Sequence, residues 1–286
     1  MNLLKSVFIS AFITWLVLLS LYGFWKFIGA TSPSLAWMGL TLSALGPLLF
    51  FLKAFLFRSP RTPRHPLGFS IISGLGLVMT MAASFRYGQA AGSIHVWAGI
   101  TLLAWLAYLR WYSVFQGRDS EVLRLGSTLP EFKLESLQGE LVSSASFRTT
   151  PHLLLFYRGN WCPFCTAQIE ELAAAYQRLA ELGVKVILIS PQSIEKAQSL
   201  ATRFSVPMVF MRDRDNNVAK RLGIEHEWGT PMGLQALGYA SDTVLPTVIL
   251  TDAQGNIIFT DQTDNYRVRP DPKNLEALVQ AKSPLS

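Results

Sequence analysis

The chain of 286 residues holds two cysteines, and they stand three positions apart in Trp161-Cys162-Pro163-Phe164-Cys165. The apolar run His152-Leu-Leu-Leu-Phe-Tyr-Arg158 before them reads as a buried strand. Ala167 to Leu182 then shows helical periodicity, with Ile169, Leu172, Ala173, Tyr176, Leu179 and Leu182 on one face. The pair therefore sits at a strand-to-helix junction. A helix N-terminus carries unpaired amides and about half a positive charge, and in such motifs a thiol pKa falls from about 8.5 to roughly 3.5–7.5. Cys162 is expected to gain most from this and to be the exposed nucleophile. Cys165, one helical turn on, is close enough to close a disulfide with it. Trp161 abuts the pair. Arg158 is the nearest fixed charge, either a partner for a thiolate or a peroxide oxygen, or a solvated strand-end cation. A zinc site needs four ligands, and neither a second CxxC nor a His pair follows, so neither a metal nor another cofactor is expected.

The elements that position this motif read as alternating strands and helices. Phe132 to Val142 suggests a short hairpin, Val184 to Ile189 a second buried strand, and Ser193 to Phe204 a serine-capped helix. Met208 to Met211 is a short strand and Asn217 to Leu222 a short helix. Thr247 to Thr251 and Asn256 to Thr260 flank a turn, and Pro272 to Ala281 closes the chain as a helix with proline in its first turn. Gly183 is placed to end the long helix. This order predicts an α/β domain with a mixed sheet over residues 118–286. Gly223 to Val244 is long for a loop and holds His226, Trp228, Met232, Leu237 and Tyr239, which suits an active-site lid, a docking surface, or a loop that packs Trp228 on the core.

Residues 1–117 are different. No Asp or Glu occurs from Met1 to Phe115, and all 19 acidic residues follow Arg118. Four apolar stretches, at about 3–24, 35–57, 67–85 and 94–115, each approach the ~20 residues that cross a bilayer, so an all-α transmembrane bundle of about four helices is predicted. The third is the weakest, because Gly68, Gly74 and Gly76 dilute it, although Ser73, Gly74 and Gly76 suit close helix packing. Trp15, Trp25, Trp37, Trp97, Trp105 and Trp111 include several rings near segment ends, as interfacial anchors would be. The net charge of +6 comes from cations flanking these stretches and marks topology, not a nucleic-acid surface. One side collects Lys5, Lys53, Arg58, Arg61, Arg64, Arg110, Arg118 and Arg124, the other Lys26 and Arg86. That split predicts a multi-pass protein of a bacterial-type inner membrane with the CxxC domain in the cytoplasm, or in the periplasm should the third segment fail to span. This half has no cysteine with which to relay electrons, and His95 reads as an interfacial or packing residue.

Residues 126–282 resemble the thioredoxin superfamily, and within it the peroxiredoxin-like redoxins grouped with alkyl hydroperoxide reductase and thiol-specific antioxidant proteins. FYRGNWCPFCTAQIEEL at 156–172, LPTVILTDAQGNI at 245–257 and DNYRVRPDPKNLEAL at 264–278 carry the resemblance. It implies a thioredoxin-like fold in which Pro246 is a cis-proline facing the disulfide. The sequence also departs from the family. The proline and threonine of P-x-x-x-T-x-x-C are replaced by Leu155 and Gly159, so the hydroxyl that would orient a peroxide is missing. The buried acidic residue of thioredoxins is replaced by Phe156.

Three functions fit these residues. The leading one is a membrane-anchored thiol–disulfide oxidoreductase, in which Cys162 attacks a protein or small-molecule disulfide and Cys165 resolves the mixed disulfide. The alternative is a thiol peroxidase, in which Cys162 is oxidised by a hydroperoxide to a sulfenic acid that condenses with Cys165. The third is a membrane redox sensor without enzymatic turnover. The first two require a thiol electron donor that the sequence does not name.

Overall fold

The computed structural model describes residues 2–29, 34–87, 93–118 and 120–282. The chain divides into two compact units. One comprises Val7–Arg58 and Thr62–Val114, the other Met1–Ser6, Ser59–Arg61 and Phe115–Ser286. The expected domain end at Ser286 lies outside the described residues.

The helical unit is built from α1 (Asn2–Ile28), α2 (Leu35–Leu56), α3 (Leu67–Tyr87) and α4 (Ile94–Ala107). Among the described residues, α1, α2 and α3 are long and apolar enough to cross a membrane. The fourth stretch differs from expectation, because α4 has only 14 α-helical residues and continues as a π-helical turn over Tyr108–Tyr112. Both the amide and the hydroxyl of Ser113 donate to Tyr108 O, at 3.0 and 2.8 Å, which fixes the wider turn. The glycines that dilute α3 have a packing role at one position. A Cβ on Gly76 would lie 2.4 Å from Ser43 N and 2.5 Å from Gly39 O, so α2 and α3 meet backbone to backbone. Ser73 Oγ donates to Ser43 O at 2.8 Å across the same contact. Gly74, by contrast, faces open space. Small residues of this kind allow helices to associate where no hydrophobic driving force separates them from lipid. Trp105 is not an interfacial ring: it is fully buried, stacked on Tyr108, and its Nε1 donates to Ser70 Oγ at 2.9 Å.

The other unit carries a seven-stranded sheet in the order β2-β1-β5-β4-β3-β8-β9. Its strands are β1 (Lys133–Ser136), β2 (Leu141–Ser143), β3 (His152–Phe156), β4 (Lys185–Ser190), β5 (Val209–Arg212), β8 (Thr247–Thr251) and β9 (Ile257–Asp261). Strands β3, β4 and β5 are parallel and the remaining pairs antiparallel, giving the mixed sheet of a thioredoxin-like fold. All residues of β3 and β8, and all but the first of β4, are buried. Such strands read as unbroken apolar runs because helices cover both faces, and each large side chain among them contributes about 1.5–3 kcal/mol of gross burial. The helices are α5 (Pro163–Glu181), α6 (Ile194–Ala201), α7 (Asn217–Arg221) and α8 (Pro272–Lys282). Gly183, at φ +72°, ends α5 as expected, and Ser193 Oγ caps α6 by accepting from Lys196 N at 3.4 Å.

Gln116 to Gly126 is polar and reads from its composition as a linker, but it is tied down at Arg118. Arg118 is buried, donating from Nη2 to Pro246 O at 2.6 Å, from Nη1 to Thr247 Oγ1 at 3.1 Å and from Nε to Thr263 O at 3.0 Å. Burial first, and then the charge of Arg269, lower its pKa to about 10 against the pull of Asp261. It is a structural cation of the α/β unit, not a loop charge for counting topology. The Gly223–Val244 stretch is also ordered, by the two-stranded ribbon β6 (Glu225–His226) and β7 (Thr243–Val244). Trp228, just beyond β6, is 47% exposed and does not pack on the core.

Candidate active site

The sequence places both cysteines at the start of α5. Cys162 is the N-cap residue, with extended φ/ψ of −90° and 110°, and Pro163 opens the helix with its φ already helical. Cys162 O accepts from Cys165 N at 3.0 Å and from Thr166 N at 3.1 Å, which locks the first turn. Both thiols are free. Cys162 is 2% exposed and Cys165 fully buried, so the expected exposed nucleophile is covered. The neighbouring side chains account for this. Arg158 lies over the Trp161 ring at 4.7 Å and over Tyr266 at 5.7 Å, and Tyr266 meets Phe164 edge-on at 5.5 Å. Gly159 permits this stack, since at φ +147° a Cβ would lie 2.7 Å from Trp161 Nε1.

Two buried arginines face the sulfurs. Arg269 donates from Nε to Tyr266 O at 2.7 Å and from Nη1 to Gln168 Oε1 at 3.4 Å, which aims Nη2 at Cys165 Sγ, 3.8 Å away. Arg158 donates from Nη2 to Gly229 O, and its own carbonyl accepts from Thr243 Oγ1 at 2.8 Å. It is thus a buried cation of the site and not a solvated strand end. Burial raises the Cys165 thiol, but the hydrogen bond from Cys162 and the charges of Arg269 and Arg158 outweigh it and bring its pKa to about 6. Burial, the hydrogen bond and charge of Cys165 push Cys162 well up, against Arg158 and Arg269. The pair therefore loses one proton readily and holds the second. That distribution differs from the expected helix-start thiolate at Cys162, because Cys162 donates its hydrogen bond to Cys165, and the guanidinium of Arg269 adds its charge there.

A polar chain underlies the turn before the cysteines. Gln192 Oε1 accepts from Asn160 N at 2.9 Å, and Gln192 Nε2 donates to Tyr157 OH at 3.0 Å. Tyr157 is buried, and burial raises its pKa so that it stays a neutral phenol. Tyr239 OH donates to Asn160 Oδ1.

The structure thus brings Cys162, Cys165, Arg158 and Trp161 together. Pro246 does not meet its expectation, since among the described residues no peptide bond is cis. The trans link is accommodated by its backbone partners: Leu245 N–H donates to Ile224 O at 2.7 Å, Leu245 O accepts from Thr247 Oγ1 at 2.8 Å, and Pro246 O is taken by Arg118. Arg269, Tyr266, Gln168 and Gln192 escape sequence reasoning. Arg269 lies within the DNYRVRPDP segment, but nothing in its spacing places it against Cys165.

Residues 125–260 match the AhpC/TSA family. In this the α/β unit is similar to peroxiredoxin-like redoxin domains. Over 109 residues, 38% of this chain, it is 32% identical to "Peroxiredoxin Q, chloroplastic" of Sedum lineare, covering 55% of that protein. It is 31% identical over the same share to "Peroxiredoxin Q, chloroplastic" of Triticum aestivum, covering 48% of it. The chain thus spans about half the length of these relatives. Among solved structures, peroxidoxin BcpB from Mycobacterium tuberculosis is 17% identical with a TM-score of 0.46, covering 57% of this chain and 99% of that one. In this chain the position at which the family resemblance places a threonine, three before the first cysteine, is Gly159. Arg158 and Arg269 provide the charges that border the pair.

Proposed function

We propose that the protein is a membrane-anchored, peroxiredoxin-like thiol peroxidase that reduces hydroperoxides at the Cys162–Cys165 pair. The observation that carries this reading is the buried pair itself, holding one labile proton between two buried arginines within an AhpC/TSA domain. At neutral pH the charge rests on Cys165, which serves as the base that takes the Cys162 proton through their hydrogen bond. The Cys162 thiolate then attacks the distal peroxide oxygen. The O–O bond breaks, the alkoxide or hydroxide leaves with a proton, and Cys162 becomes a sulfenic acid. Cys165 attacks that sulfur, water leaves, and a disulfide forms. An external dithiol returns the two electrons. Arg158 and Arg269 replace the absent threonine as donors toward peroxide oxygen and developing oxyanion. Trp161 stacks on Arg158 and holds it in place. Pro246, as a trans residue, contributes its carbonyl to Arg118.

Disulfide exchange uses the same sulfurs, but a protein disulfide must reach a sulfur that is 2% exposed. The test is stopped-flow mixing of the reduced protein with hydrogen peroxide, read by Trp161 fluorescence. The proposal expects a rate far above that of a free thiol with pKa about 6. A rate no better than such a thiol, together with fast reduction of insulin disulfides, would return the assignment to disulfide exchange.

The three apolar helices support membrane anchoring. The side depends on a fourth crossing by α4 with its π-helical continuation. With that crossing, and with Arg118 removed from the cation count, seven charges stand against two, which supports a multi-pass inner-membrane protein with the redoxin domain on the cytoplasmic side, whereas three crossings would place it in the periplasm. On the cytoplasmic side a reducing compartment would keep the pair as dithiol.

A further inference from the structure

The sixteen residues 227–242 leave the sheet at β6 and return at β7. They form a compact flap whose base is closed by Trp228 N donating to Asp242 Oδ1 at 2.8 Å and Thr230 N to Ser241 O at 3.0 Å, and Ser6 holds it as well, its Oγ donating to Thr230 O at 2.6 Å and its carbonyl accepting from Met232 N at 3.2 Å. Compact surface loops of this size, packed by their own groups, recur at functional sites. The flap is fastened to the segment just before Cys162. Gly229 O accepts from Arg158, and Tyr239 OH donates to Asn160 Oδ1. A further tie runs to α6, where Lys196 Nζ donates to Leu237 O at 2.9 Å and lies 4.5 Å from the centre of the Tyr239 ring. The ties at Arg158 and Asn160 engage two of the four residues preceding Cys162, while the sulfur of that residue is almost entirely inaccessible.

We infer that the 227–242 flap is a specificity-determining gate that works by holding Arg158, through Gly229, and Asn160, through Tyr239, in the cover over the cysteine pair, and that Tyr239 and Lys196 are its latches. Closed, it admits a molecule the size of a hydroperoxide and excludes bulky disulfides, which react only after it opens. This rests on the peroxidase reading for the identity of the small substrate, but the gating can be tested independently of it. Removing the phenol hydroxyl with Tyr239→Phe deletes one hydrogen bond at the latch. Loss of one such bond changes an open–closed equilibrium about 5-fold, and loss of two by roughly 30-fold.

The experiment compares two oxidants on the reduced full chain in detergent micelles, hydrogen peroxide and the aromatic disulfide dithiobis-nitrobenzoate. Tyr239→Phe should react about 5-fold faster with the disulfide, and the double variant Tyr239→Phe/Lys196→Met about 10–30-fold faster. Both should change less than about 2-fold toward peroxide, with the thiolate absorbance titrating as in the parent. An unchanged disulfide rate in the double variant would overturn the cover. Equal acceleration toward both oxidants would overturn its role in specificity. A slow peroxide reaction in the parent would instead remove the peroxidase reading and leave the ratio as the test of the flap. Hydrogen exchange on the unsubstituted protein supplies a check that needs no variant: the 227–242 amides should exchange well ahead of those of β3 and β8. Exchange of all three segments in one cooperative step would sink the proposal.

Discussion

Arg269→Met tests the electrostatics of the site most directly. The guanidinium Nη2 lies 3.8 Å from Cys165 Sγ. Two unit charges at about 4 Å interact by roughly 4 kcal/mol at an effective dielectric near 20, while hydrogen bonds to charged groups contribute about 1.5–3 kcal/mol in measured series. The lower range is the better guide, because Arg158 remains and sulfur is a weak acceptor. At 1.36 kcal/mol per pH unit, the loss should raise the first titration of the pair by about 1–2 units. Cys165 titrates at about 6 with the arginine present. At about pH 6.5 the thiolate population should then fall from about three-quarters to between about a quarter and a thirtieth, slowing peroxide reduction roughly 3–25-fold. At about pH 9 the population recovers, and so should the rate. The assay is thiolate absorbance and peroxide consumption across pH for the parent, Arg269→Met and Arg269→Lys. The lysine variant keeps a charge and should recover part of the shift, although it loses the geometry that bridges Tyr266 O and Gln168. A thiolate titration that does not move in the methionine variant would refute the reasoning. So would a rate loss of equal size at both pH values, since that would put Arg269 in the fold or the transition state alone.

Cys162→Ser should abolish peroxide consumption, whereas Cys165→Ser should let a dimedone-reactive sulfenic acid accumulate on Cys162; dimedone labelling of Cys165 instead would invert the two roles. Gly159→Ala should cost about 1–3 kcal/mol in urea unfolding, because the residue sits at φ +147°, and should shift Trp161 emission, since the new methyl meets the indole. His226 is buried, and that burial, with the charges of Arg158 and Arg118, lowers its pKa to about 3. The neutral ring is the folded form. Its contribution is complete above the unfolded pKa near 6.5 and is lost as pH falls from there toward 3. His226→Gln should therefore lose less stability than the parent between about pH 7 and 4, by about 2–4 kcal/mol, and parallel losses in urea titrations would reject this.

Local patterns made most of the redoxin domain legible. HLLLFYR and VKVILIS can be little other than buried strands, and Gly183 and Ser193 announce helix ends through backbone chemistry that needs no tertiary context. The cysteine pair was legible for the same reason, since three-residue spacing at a helix start is a local fact. The misreadings share the opposite cause. Arg118 reads as a linker charge until the Pro246 carbonyl and the Thr247 hydroxyl, at the entry to β8, supply acceptors more than a hundred residues away. Trp105 reads as an interfacial ring until Ser70 on another helix takes its indole N–H. Exposure of Cys162 and the location of the thiolate charge were misjudged because the helix-terminus argument counts only fields made by α5 itself. The hydrogen bond from Cys162, and then a guanidinium arriving from residue 269 as a full charge at 3.8 Å, outweigh that field at the second sulfur, since the helix end is a half charge spread over several amides. On the proposed peroxidase reading, the same comparison bears on Gly159 standing where the AhpC/TSA relatives are expected to carry a threonine. A hydroxyl offers a peroxide one neutral hydrogen bond, whereas Arg158 and Arg269 offer several charged donors already held in place by Gly229, Tyr266 and Gln168. The residues that orient those arginines should then be as sensitive to substitution as the arginines themselves, and Gln168→Leu is the test: it removes a partner of Arg269 without touching either sulfur, so it should move the thiolate titration in the same direction as Arg269→Met by a smaller amount, and a titration identical to the parent would show that Tyr266 O alone suffices to aim the guanidinium.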